Sequence, residues 1–113
     1  MMKNVKLIAT TKYNAEGYYL EWFTGFNTAL IAVKRDLHIP TRELKNDIQV
    51  VLYSPKKERL GDAISHFGSY GVEKDLWEVM VLDVLPDVKG HLTWKEVAFY
   101  FDKQIKKEEK KNA

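Results

Sequence analysis

Three cations crowd the run Ser54-Pro55-Lys56-Lys57-Glu58-Arg59, and its first two residues read as a helix start. A serine hydroxyl accepts from the first free N–H groups of a helix, and proline lacks the N–H that would go unsatisfied there. A helix starting here sets Lys56, Lys57 and Arg59 against its own positive end, at a cost of roughly 0.3 kcal/mol or more each. A bound anion reverses that sign, because free N–H groups and cations then converge on it. The three are therefore candidate ligands of a phosphate or of a nucleic-acid backbone. A second basic cluster, with Lys34, Arg35 and Arg42 beside His38 and Lys45, would extend the same patch if folding joined them. The plain alternative is a solvated charged surface, and Glu58 lies among the cations.

The stretch YYLEWFTGF, residues 18 to 26, supplies flat rings. In a strand, alternate residues point to opposite faces. Tyr18, Leu20 and Trp22 then form an apolar set fit for a core, while Tyr19, Glu21 and Phe23 share the other face. A carboxylate between two rings resists unpaired burial, so that face is expected to be partly wet. Exposed rings on a sheet can stack unpaired bases, at roughly 1–3 kcal/mol per base. Tyr19 and Phe23 are the candidate platform. Under the competing reading they lie beneath another element or at a dimer seam.

Other chemistries find little support. The chain has no cysteine, which removes disulfides, thiolate metal sites and thiol nucleophiles together. Its three histidines show no HxH or HExxH spacing. Asp83, Asp87 and His91 recur every fourth residue, but Pro86 and Gly90 interrupt any helix that would align them. Asp62, Ser65 and His66 have the residue types of a hydrolytic triad, yet on a helix Ser65 and His66 diverge by about 100°. No glycine-rich phosphate loop or G-x-S-x-G elbow occurs. Glu78 is the carboxylate closest to an apolar run, and strand alternation turns it away from Trp77 and Val79. A protein without catalytic activity, metal or cofactor is the expectation.

With 113 residues, the chain fits one domain with a core of its own. Its net charge of +2 is modest, but the distribution is uneven. Residues 1–59 hold ten Lys/Arg against six Asp/Glu, residues 60–92 two against six, and residues 93–113 six against four. Such a division can give one basic and one acidic face. The apolar run in MMKNVKLIATTKY is too short for a signal peptide, and no segment approaches the ~20 apolar residues of a membrane span. A cytoplasmic location away from membranes is expected.

Two helices are predicted to position these residues. Residues 55–67 carry Leu60, Ala63, Ile64 and Phe67 as one apolar stripe, ending at Gly68. Residues 93–109 open with Thr93 and Glu96 at capping-box spacing and with Leu92 and Val97 as a hydrophobic staple. Trp94, Val97, Ala98, Phe101 and Ile105 line one face of this helix, and Lys103, Lys106, Lys107, Lys110 and Lys111 suit its negative end. Strands are predicted at 4–12, 18–24, 48–53 and 76–85, rich in β-branched or aromatic residues between turn signals. Residues 28–37 fit a helix and a return strand about equally, with a slight lean to the strand. The outcome is an α+β domain over residues 1–109 with a fraying tail at 110–113. Its sheet is mostly antiparallel, curled toward a half-barrel, with helices on one side or end. That layout is similar to small PUA-like RNA-binding domains, a likeness of arrangement alone. Two functions follow as expectations: a regulator that binds single-stranded RNA, or a protein-interaction module such as an accessory protein, inhibitor or homodimer.

Overall fold

The computed structural model describes residues 5–13, 16–24, 48–65, 76–85 and 87–111. They form an α+β fold. Six strands, β1 (Lys6–Lys12), β2 (Tyr19–Thr24), β3 (Ile48–Tyr53), β4 (Arg59–Ser65), β5 (Trp77–Val81) and β6 (Lys89–Leu92), precede one helix, α1 (Trp94–Lys111). Among the described residues the strands pair antiparallel in sequence order, with β1 and β6 at the two ends of the row. The half-barrel and the PUA-like arrangement find no support in this topology.

Alternation within the strands decides which residues turn toward α1, although Val51 on the opposite face is buried too. Register sets Leu20 opposite Leu52, Leu52 opposite Gly61 and Gly61 opposite Val81. A second row runs Trp22, Val50, Ala63 and Val79. These rows meet α1, whose Val97, Phe101 and Ile105 join the same core. The small side chains of β4, Gly61, Ala63 and Ser65, leave room for the helix over the middle of the sheet. All three tryptophans of the chain gather where α1 begins. The Trp94 ring lies 5.4 Å from Trp22 and 5.2 Å from Trp77, centroid to centroid. The Trp22 indole N–H donates to the Thr11 hydroxyl at 2.9 Å.

The start of α1 follows local chemistry. The Thr93 N–H donates to Glu96 Oε1 at 3.0 Å, and the Glu96 N–H donates to Thr93 Oγ1 at 3.3 Å. This reciprocal pair satisfies two N–H groups that have no partner within the helix. Leu92 and Val97 are both in the core, as the staple requires. The buried stripe continues further than its apolar members, through Gln104 and Glu108.

The predicted helix over 55–67 does not form. Residues 59–65 are strand β4, and 54–58 are the turn that joins it to β3. The Ser54 N–H donates to the Glu58 carbonyl at 2.9 Å, closing the loop, and Lys57 takes a left-handed φ of 66°. The apolar spacing at 60, 63 and 64 suits a helix, but tertiary pairing overrides it: β3 and β5 both need a neighbour. Gly61 reports the same constraint, since a Cβ there would lie 2.6 Å from the Met80 carbonyl oxygen. Strand β6 is a second element absent from the expectation. Residues 28–37 lie outside the described residues. Among the described residues, no helix is long and apolar enough to cross a membrane.

Candidate nucleic-acid interface

Ser54 does cap, but it caps a turn. Its buried hydroxyl accepts from the N–H groups of Lys56 at 3.2 Å and Glu58 at 3.1 Å, and its carbonyl accepts from the Lys57 N–H at 2.9 Å. Those N–H groups are occupied, so the helix-end argument for an anion falls with the helix. The cations themselves stay at the surface: Lys56, Lys57 and Arg59 are all exposed. Arg59 lies 3.5 Å from Asp62, whose carboxylate also accepts from the Gln49 amide at 2.8 Å. Lys34, Arg35 and Arg42 lie outside the described residues.

The sheet face turned away from α1 carries the rings. Register aligns Lys12 with Tyr19, Tyr19 with Tyr53 and Tyr53 with Arg59, one row across four strands. Adjacent strands lie ~4.8 Å apart, so the row spans about 14 Å. Tyr19 and Tyr53 stack at 5.2 Å between centroids with 15° between planes. Both are half-buried. Burial, then a hydrogen bond to Glu21, raises the Tyr53 phenol above its ordinary value, so it stays a protonated donor. Glu21, the carboxylate between the rings, thus has a partner on this face.

The structure brings Arg59 beside Tyr19 through Tyr53, with Lys56 and Lys57 on the turn just beyond. Phe23 stands apart. It is half-buried and paired with Leu7 and Gln49, four residues along β2 from Tyr19. At ~3.3 Å per residue that is about 13 Å. Tyr53 and Lys12 complete the row and were not among the sequence candidates. The signal for Tyr53 was its place at the end of IQVVLY, directly before a turn, which in a hairpin puts it opposite Arg59.

The triad-like residues separate. Asp62 is on the face with Gln49, whereas Ser65 is buried and its hydroxyl donates to the Leu76 carbonyl at 3.2 Å. His66 lies outside the described residues. Asp87 accepts from the N–H of its neighbour Val88 at 2.7 Å, and Asp83 is held by Gln104 and Lys111. Among the described residues, no three His, Cys, Asp or Glu side chains are grouped to hold a metal ion. Comparison with protein-family models, with curated proteins and with solved structures finds no match to this chain.

Proposed function

We propose that the protein is a non-enzymatic binding module that holds single-stranded RNA on the sheet face opposite α1. The observation that carries this reading is the row Lys12, Tyr19, Tyr53 and Arg59, a stacked pair of rings with a cation at either end. An unpaired base extends such a stack at low cost because every base has a π-face, and the flanking cations meet the phosphates on either side. Lys56 and Lys57 continue the cationic path over the turn.

Fluorescence anisotropy with a labelled single-stranded RNA tests it, comparing the native chain with Tyr19→Ser and Tyr53→Ser. Loss of one stacked base corresponds to about 1–3 kcal/mol, roughly a five- to 150-fold weaker Kd. Far-UV circular dichroism establishes that the variants remain folded. Folded variants that bind RNA as tightly as the native chain would remove the tyrosine platform.

A second reading has its own observation. All seven residues of the edge strand β1 are exposed, with Leu7 at 51% and Ile8 at 54%. Among the described strands β1 has a neighbour on one side alone, and an edge strand suits pairing with a protein partner or a second copy of this chain. Light scattering on the purified protein distinguishes the dimer, and recovery of protein without RNA after crosslinking favours this reading over the first.

A further inference from the structure

We infer that the cleft between the Asp83–Val84 turn and the C-terminal half of α1 is a binding site for closely spaced phosphate groups. The cleft is open to solvent, has a volume of about 400 Å³ and is lined by Asp83, Val84, Lys103, Lys106, Lys107 and Lys110. That volume falls within the range of ligand pockets, about 300–1,000 Å³.

One wall is built by buried chemistry. Gln104, on the buried face of the same helix, accepts the Asp83 N–H at 2.7 Å and donates to the Asp83 carboxylate at 2.9 Å. Lys111 closes on the same oxygen from the last turn. The turn is therefore clamped to the helix, and the one carboxylate in the lining already has a cation outside it. Lys103, Lys106, Lys107 and Lys110 line the rest of the cleft, the Lys103 ammonium lying 4.7 Å from the centroid of the Phe99 ring.

The helix dipole does not account for all four. Its attraction for cations fades within the last turn, which holds Lys110 and Lys111. Lys103 and Lys106 lie further up the helix. The four recur at i, i+3, i+4 and i+7, spacing that stacks like charges on one stripe and sets them against one another. A polyvalent anion along the stripe turns that repulsion into attraction. From Lys103 to Lys110 the helix rises about 10 Å, too far for one carboxylate to bridge and suited to a chain of phosphates. Lysine ammonium groups act as point charges without a fixed fork, which fits tetrahedral phosphate in any rotation.

The site stands whether or not the tyrosine row takes bases. Isothermal titration calorimetry of the full chain with tripolyphosphate is the test, repeated with Lys106→Ala/Lys110→Ala and with Lys95→Ala, an exposed lysine of α1 outside the lining. The native chain and Lys95→Ala bind alike, and the double variant loses at least tenfold in affinity. Lys106→Gln/Lys110→Gln gives the same loss and retains side-chain length if the alanine pair melts the helix end. Tyr19→Ser leaves tripolyphosphate binding unchanged, which separates this site from the proposed RNA face. A single-stranded RNA that displaces tripolyphosphate identifies the phosphates as those of a strand. RNA that fails to displace it identifies a free oligophosphate. The inference is overturned if tripolyphosphate does not bind, if the folded double variants bind it undiminished, or if an oligo-aspartate peptide of equal charge binds as well.

Discussion

Gln104 directs both ends of its amide at one residue. Without it the Asp83 N–H and the carboxylate would each lose a partner, and the β5–β6 turn would keep only Lys111 as its side-chain tie to α1 at Asp83. Lys111 first, and then Gln104, hold the Asp83 carboxyl below its ordinary value of 3.8. A carboxyl depressed in the folded state contributes stability above the unfolded value, and that contribution disappears as pH falls through 3.8 toward the lower folded value. The group is open to solvent, so screening keeps the effect small. Asp83→Asn is expected to lower the urea midpoint at pH 7, and its gap to the native chain is expected to narrow as pH falls below 3.8. A gap between the two that is as wide at pH 3 as at pH 7 would show that the carboxylate charge is not what ties the turn.

At the scale of elements, Gly61 gives a test in which helix and strand predict opposite signs. Within a solvent-exposed helix, replacing glycine by alanine stabilises by up to ~1 kcal/mol. In β4 an added Cβ meets the Met80 carbonyl oxygen at 2.6 Å and Val81 Cγ1 at 2.8 Å. Backbone cannot swing aside as a side chain can, so Gly61→Ala is expected to destabilise by about 1–3 kcal/mol, read from urea unfolding. A neutral or raised stability would return the segment to a helix. That single glycine was the clue in SPKKERLGDAIS that went against its helical spacing. Ser-Pro starts and a 3.6-residue stripe are local signals, whereas the need of β3 and β5 for a shared neighbour is not. Helix α1 was legible because its determinants lie within three or four residues of one another: Thr93 with Glu96, Leu92 with Val97. The strands of Lys12, Tyr19 and Tyr53 were legible as strands, but the row they form depends on the register between strands, β2 and β3 being far apart in sequence. Lys103 to Lys110 were visible as a basic helix end. Their cavity depends on where the Asp83 turn comes to rest.

On the scale of the whole molecule, the charged β3–β4 turn comes close to the charged end of α1. The field of Glu58, in the β3–β4 turn, reaches Lys111 at the end of α1, so that turn and the helix terminus are neighbours. A path from the tyrosine row to the lysine cleft would cross this turn, which carries Lys56 and Lys57. If one RNA strand follows this path, its salt dependence counts the contacts. The slope of log affinity against log salt falls by about 0.7 for each phosphate contact removed from a single strand. Lys56→Ala/Lys57→Ala and Lys106→Ala/Lys110→Ala are each expected to flatten the slope by about 1.4 when both lysines of a pair touch phosphate. Tyr19→Ser is expected to weaken binding with its slope unchanged, because stacking releases no counterions. Anisotropy titrations between 50 and 200 mM salt separate these outcomes. A slope that flattens for the turn pair and not for the helix pair confines the strand to the sheet face and leaves the cleft to a smaller anion.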